Sequence, residues 1–414
     1  MMSPANHTKN ANFDVACAFI IKLGEAAHGY GSTVGRLEVY LTRLAAALGY
    51  HGAFRISSTE MICAFQEDEY QPQHMHMRVL PGAGLDLSKL AMVGELVDML
   101  EAGEISLSEG SERLDQIGKS PVPWGRLANG IAYAFVGAGL AVLFSLGWWD
   151  VLFSTVFSML VYGMVLLSGS FGARTAEWLP LTSAFVVAAL TVVARFMVPE
   201  LNLVLVIVAA IAVLLPGYTI SLGIIELVGR HVVSGTAHLM SGLVYLAKQL
   251  AGAWLGAALV ISLLPAHPVS AATPVGSVWL WLFMPPLIVG LCVIFQTSKR
   301  DLFAACFGCA VAYAGILLGS AITGGNLGNL LGTIIAVVFA NLWARKTGRP
   351  TSIVLLPAII LLVSGSIGFR GLAAMSAGQV ASGEQQVLQM FVVALTIAAG
   401  LLVGNTIVQS KTTL

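Results

Sequence analysis

Residues 213–230 read VLLPGYTISLGIIELVGR, an apolar run that holds a proline, a glycine and one carboxylate. Pro216 lacks an amide proton and its ring clashes with the carbonyl one turn earlier, so a helix must bend or stop there. Gly217 beside it lets the backbone unwind. Carbonyls freed by such a break are costly in lipid unless protein or water satisfies them, which places the break inside a bundle. Glu226 follows in the same run. Burial raises the proton affinity of a carboxylate, and that suits Glu226 to bind and release a proton. Lys248, in the next apolar run, and Arg230 are its candidate charge partners.

A second stretch, VLLPAIILLVSGSIGFRG at 354–371, repeats VLLP at an offset of 141 residues. Pro357 answers Pro216, and Ser364 and Ser366 follow it as Ser221 follows Pro216. LLSGSFGA at 166–173 likewise resembles LLGSAITGG at 317–325, which runs into Asn326 and Asn329. Hydroxyl and amide groups collected around helix breaks suit a polar solute. The expected binding residues are therefore Pro216, Gly217, Ser221 and Pro357, joined by Ser364, Ser366, Asn326 and Asn329. Arg195 and Arg370 lie at the rims of apolar segments, as anchors or as partners for a charged solute.

Other chemistry finds little support. Cys306-x-x-Cys309 lies within the apolar run LFAACFGCAVAYAGILLG with no second pair beside it, so it reads as small helix-packing residues and no metal is expected. His74-x-His76 has no evident third ligand. HGYGSTVG at 28–35 follows a helix and lacks the lysine of a phosphate loop. No catalytic triad is discernible, so neither catalytic residues nor a cofactor are expected.

The elements that must position these groups follow from composition. The chain has 414 residues, 57% hydrophobic and 10% charged, against about 25% charged in soluble domains. Residues 1–127 carry 15 acids and 10 bases, whereas the remaining 287 residues carry 6 acids and 11 bases. A water-facing region thus precedes a lipid-facing one, and its acidity argues against a nucleic-acid partner. Helical periodicity over Phe13–Ala27, Ser32–Leu48 and Leu87–Glu101, with strand-like runs at 53–66 and 75–80, predicts a small α/β domain over 1–120. Its start lacks the pattern of a signal peptide, so it is expected to be cytoplasmic.

Residues 121–127 form the linker of KSPVPWGR, where two prolines and a glycine stop any helix. Ten apolar segments follow, each near the roughly 20 residues that span a bilayer. Five lie in 128–264 and five in 276–410. Basic residues in alternate loops favour one side ten to two, which places both termini in the cytoplasm. The matched motifs are five spans apart, and an odd number reverses direction. The expected fold is an α-helical polytopic membrane protein of about ten transmembrane helices, in two five-helix inverted repeats after the cytoplasmic α/β domain.

The order of GSTVGRLEVYLTRLAAALGY (31–50), LLPGYTISLGIIELVGRHVVSGTAHL (214–239) and LLPAIILLVSGSIGFRG (355–371) resembles the bacterial threonine/serine exporter family in its fused two-half form. The LPG segment with its following acid, and Arg36-x-Glu38, are the most specific parts. The resemblance implies a multi-pass inner-membrane exporter of L-threonine and L-serine, driven by protons. It leaves room for a homo-oligomer. Two-subunit members imply an alternative, export of dicarboxylates such as succinate, for which Arg195, Arg370 or Lys248 would hold carboxylates. A membrane-anchored hydrolase is the other alternative. The second copy departs from the motif, with Ala358 for the glycine and Ile367 at the site matching Glu226, so ion coupling is expected mainly in the first half.

Overall fold

A computed structural model describes residues 4–68, 70–80, 82, 84–264, 270, 272–323, 326–362 and 365–409. The run 53–66, read above as one strand, is two. Ser57 Oγ accepts from the amides of Glu60 (3.1 Å) and Thr59 (3.3 Å), and this local turn ends β1, His51–Ile56, before β2, Glu60–Gln66. Side-chain hydroxyls compete with the ladder in this way at turns. β2 also pairs antiparallel with β3, His74–Val79, giving the order β1-β2-β3.

Phe54 and Ile56 of β1, with Met61, Cys63 and Phe65 of β2, bury the alternate positions of one sheet face. Helices α1 (Pro4–Gly29) and α2 (Val34–Ala47) share that core, and α3 (Leu87–Glu101) and α4 (Leu107–Lys119) complete it. Leu37, Leu41 and Leu44 of α2 are fully buried, the stripe that their spacing predicts. Asp86 caps α3 and Ser106 caps α4 through the amides of Lys89 and Glu109. β3 is the exposed edge. Among the described residues no His, Cys, Asp or Glu group is arranged to hold a metal.

The remaining chain is helical: α5 (Arg126–Leu143), α6 (Trp148–Phe171), α7 (Ala173–Met197), α8 (Leu203–Ile211), α9 (Gly217–Val228) and α10 (Val232–Leu263). Then come α11 (Val278–Ile294), α12 (Leu302–Thr323), α13 (Asn326–Thr347), α14 (Ser352–Leu362), α15 (Gly365–Ser376) and α16 (Val380–Ile407). Eight stretches among the described residues are long and apolar enough to cross a membrane, one of them 352–376, which takes in α14 and α15. The stretch made by α8 and α9, bent by 62°, makes a ninth, and α11 is a shorter apolar helix. Large apolar side chains such as Trp254, Leu259 and Ile261 face outward, as lipid contact requires.

The helix pairs recur along the chain. α6 packs on α7 and α8, while α10 packs on α7 and α9; in the same way α12 packs on α13 and α14, while α16 packs on α13 and α15. Small residues let these helices approach closely. Side chains at Gly252 or Gly256 of α10 would collide with the carbonyls of Leu181 and Phe185 in α7. A Cβ on Gly319 of α12 would stand 2.9 Å from Gly328 Cα in α13.

The N-terminal α/β unit docks on one end of the bundle. The amides of Leu87 and Ser88 donate to the carbonyls of Phe295 and Gln296, each at 3.0 Å, so the start of α3 satisfies the last turn of α11. Trp124 Nε1 donates to Thr297 O at 2.7 Å. Arg349, between α13 and α14, bonds Glu95 of α3 at 2.8 Å and also Asp301. Leu356 of α14 belongs to the core of the N-terminal unit. Arg126, Arg230, Lys299, Arg300, Arg345 and Arg349 lie at this end. At the other end, Asp150 accepts from the amides of Gly147 and Asn202, and the rings of Trp148 and Trp279 meet at 4.9 Å.

Candidate functional site

The break at Pro216 is built from three parts. α8 stops at Ile211, a single 3-10 turn covers Ala212–Leu214, and Leu215 is extended before Pro216 opens α9. The residue ahead of a proline is driven out of the helical region, so this sequence has little choice. Two buried side chains take up the loosened carbonyls: Ser158 Oγ of α6 donates to Ala210 O at 3.2 Å, and Gln249 Nε2 of α10 donates to Leu214 O at 3.1 Å. The interruption is thus satisfied by protein.

Pro357 does not break its helix. α14 runs through it to Leu362, and the next described residue is Gly365 at the start of α15. Ala358 explains the difference, since alanine carries the helix onward where Gly217 lets it stop. α15 then runs from Gly365 to Ser376. Ser364 itself lies outside the described residues.

The starts of α9 and α15 meet. A Cβ built on Gly365 would stand 2.9 Å from Gly217 Cα. Beside this contact lies a cavity of about 360 Å³, lined by these starts and by aliphatic side chains of α5 and α11. Tyr218, Thr219, Ser241, Tyr245 and Ser366 bring hydroxyls to its wall, and none of these has a protein hydrogen-bond partner among the described residues. Leu85 of the N-terminal unit reaches its wall, packed on Gly31. A mostly apolar hollow with a few convergent unpaired hydroxyls is suited to a small polar solute.

Of the residues expected to bind, Pro216, Gly217 and Ser366 line this cavity. Ser221 is buried further along α9, and Pro357 is buried in α14. Asn329 lies on α13, its carbonyl taken by the Thr333 hydroxyl at 2.7 Å. Asn326 opens the same helix, and its side chain lies outside the described residues. Neither asparagine is among the residues lining the cavity.

Glu226 is buried at 4% exposure, but its expected partners are elsewhere. Lys248 is exposed, its ammonium 3.5 Å from Glu177 O, and Arg230 is exposed in a left-handed turn at φ 66°. That turn folds α10 back along α9. Gly223 and Gly235 permit the approach: a Cβ on either would fall within 2.8 Å of backbone on the other helix. Ser234 and His238, one helical turn apart, thereby face Glu226. Ser234 Oγ donates to Glu226 Oε2 at 2.8 Å, and His238 Nδ1 stands 2.7 Å from the same oxygen. Glu226 Oε1 is buried without a partner.

Sequence reasoning overlooked both of these residues, although HVVSGTAH shows their spacing. It also overlooked His28 of α1, which is 2% exposed. Burial pulls the His28 imidazole below its usual affinity for a proton, helped by the nearby His238; the Ser58 backbone and the Glu226 charge oppose this. Burial likewise lowers the pKa of Arg36, opposed by Tyr218. Arg195 has no ion-pair partner among the described residues. Arg370 lies over the Phe144 ring at 5.3 Å, and its Nε donates to Ser366 O at 3.3 Å.

Comparison with known proteins adds an independent line. Residues 18–260 match a family model described as "Putative threonine/serine exporter", and residues 281–407 match one described as "Threonine/Serine exporter". An uncharacterized protein of Schizosaccharomyces pombe is 23% identical over 89% of this chain and 45% of its own length. A pheromone-regulated membrane protein of Candida albicans is 25% identical over 84% of this chain and 32% of its own. A similarly named protein of Candida glabrata is 24% identical, over 84% and 45%. The chain thus spans less than half the length of these fungal relatives. No solved structure matches.

Proposed function

The chain belongs to the threonine/serine exporter family, and from that premise we propose that it exports small hydroxy amino acids across the inner membrane by proton-coupled alternating access. The cavity between Gly217 and Gly365 is the observation that carries this reading, because it places unpaired hydroxyls where the starts of α9 and α15 meet. Substrate binds there, near the middle of the membrane.

Several features support the finer parts. The recurring helix pairs fit two halves of five spans each, with α11 as the shortest span and the second half inverted. The basic loops gather at the end that holds the N-terminal unit, which fits a cytoplasmic position for that unit and for both termini. Residues 1–120 act as the unit that closes the inner gate, consistent with Leu85 on the cavity wall. Glu226 is the coupling group. Family membership also favours transport over an anchored hydrolase.

Arg370, whose guanidinium bonds the carbonyl of the cavity-lining Ser366, favours a second substrate reading, a dicarboxylate, since guanidinium groups suit carboxylates. Uptake of labelled threonine into inverted vesicles under an imposed pH gradient tests the main reading. Gradient-dependent uptake that unlabelled serine suppresses and succinate leaves intact is expected. Suppression by succinate alone would transfer the function to dicarboxylates, and no gradient-dependent uptake of either would remove the transport reading. Unchanged uptake in Glu226→Gln would take Glu226 out of the coupling.

A further inference from the structure

The cavity at the starts of α9 and α15 holds more space than threonine fills. A cavity of about 150 Å³ lined by Leu, Ile and Phe side chains binds benzene, which sets a need of about 25 Å³ for each ligand atom other than hydrogen. On that scale a volume of about 360 Å³ takes roughly 14 such atoms. Threonine has about eight, so nearly half of the space would be left to water.

The lining is divided by chemistry. Its hydroxyls come from α9, α10 and α15, as Tyr218, Thr219, Ser241, Tyr245 and Ser366. Helices α5 and α11 contribute only apolar side chains, Val136, Leu140 and Leu143 from the first and Leu287 and Leu291 from the second. Val136 and Leu287 are each 1% exposed and belong to one hydrophobic cluster, so packing fixes this wall. Water against such a wall finds few hydrogen-bond partners, whereas an apolar group there is favoured by the surface it removes from water. None of the described residues lining the cavity is charged, which suits a solute without net charge. α9 begins at the cavity, and the N-terminal end of a helix favours a carboxylate.

We propose that the cavity also takes α-amino acids with a large apolar side chain, of the size of phenylalanine, and that the protein exports them along with threonine and serine. This rests on the exporter reading. The polar end of the amino acid lies among the hydroxyls near Gly217, and the side chain lies along α5 and α11. Phenylalanine, with about twelve atoms other than hydrogen, fills most of the space that threonine leaves. Threonine is then a small member of the substrate class, held by its polar groups alone.

The test uses the full chain in proteoliposomes under an imposed pH gradient, with labelled threonine and, separately, labelled phenylalanine. Phenylalanine is expected to suppress threonine uptake at a concentration about tenfold or more below that needed of alanine, since each buried methylene is worth about fourfold in affinity. Labelled phenylalanine should itself be taken up. Leu140→Trp fills the apolar side of the cavity, and Leu143→Phe does so more mildly. Each should weaken phenylalanine about tenfold relative to threonine, whereas a merely destabilised protein would lose both alike. Suppression no better than alanine's, no uptake of phenylalanine, or a ratio that both variants leave unchanged overturns the proposal. If the wild type moves no amino acid at all, the exporter reading fails separately. Tm in detergent then decides the site: a larger rise with phenylalanine than with alanine at equal concentration supports it, and equal rises reject it.

Discussion

Gly365 packs its backbone directly on that of Gly217: a methyl group at position 365 would stand 2.9 Å from Gly217 Cα and 3.4 Å from Leu215 Cβ. The starts of α9 and α15, far apart in sequence, therefore share a contact that only hydrogen side chains allow. Replacing Gly365 by valine should force them apart, at about 1–3 kcal/mol of overpacking. Transport by Gly365→Val should fall further than by Gly365→Ala, with Tm falling in the same order. A valine variant with wild-type rates would show that the two ends need not touch.

Arg349 should matter more than a surface ion pair. Asp301 is 3% exposed, and removal of its guanidinium partner leaves a buried charge without compensation, worth about 3–5 kcal/mol. In Arg349→Ala, Tm should drop and protease should cut faster within residues 120–125. Arg349→Lys should recover only part of this, because one ammonium cannot reproduce the fork that reaches both Asp301 and Glu95.

Gln249 supplies the one side-chain donor to Leu214 O among the described residues. Gln249→Leu keeps the volume and deletes the bond, which should cost about 0.5–1.5 kcal/mol, the net worth of a hydrogen bond to a half-buried carbonyl. Hydrogen exchange in the 3-10 turn of 212–214 should accelerate with it. Unaltered exchange there would mean that water already serves this carbonyl.

His28 predicts an acid-sensitive fold. Its affinity for a proton is lowered in the folded state from an ordinary pKa of 6.5, so the unfolded chain binds that proton more readily. The associated stability is present above pH 6.5 and is lost as pH falls below that value towards the folded-state pKa. Tm in detergent should decline through this window, and the decline should shrink in His28→Phe. An equal slope in wild type and variant would exclude His28 as its source.

What could be read from sequence divides along physical lines. Pro216-Gly217 was legible because proline and glycine together leave a helix no continuation. Pro357 misled, since Ala358 carries the helix on through it to Leu362. Glu226 was legible as a rare acid in an apolar run, but its partner was not. Lys248 is the nearest base along the next helix, whereas the tight turn at Arg230 and the glycines at 223 and 235 decide which face of α10 meets α9. His28 gave no signal at all, for its role depends on how the N-terminal unit docks, and no local periodicity encodes that. Family membership followed from motifs spread across both units.

The docking also says something about what holds this molecule in one piece. Leu356 of the bundle sits inside the hydrophobic core of the N-terminal unit, two amides of α3 cap α11, and Arg349 bridges both sides. Within the covalent thread at residues 120–125, Trp124 adds its bond to Thr297 O. A polypeptide cut there and expressed as two fragments should therefore reassemble on the membrane, so the physical boundary of the folded unit is drawn by burial and not by the peptide bond.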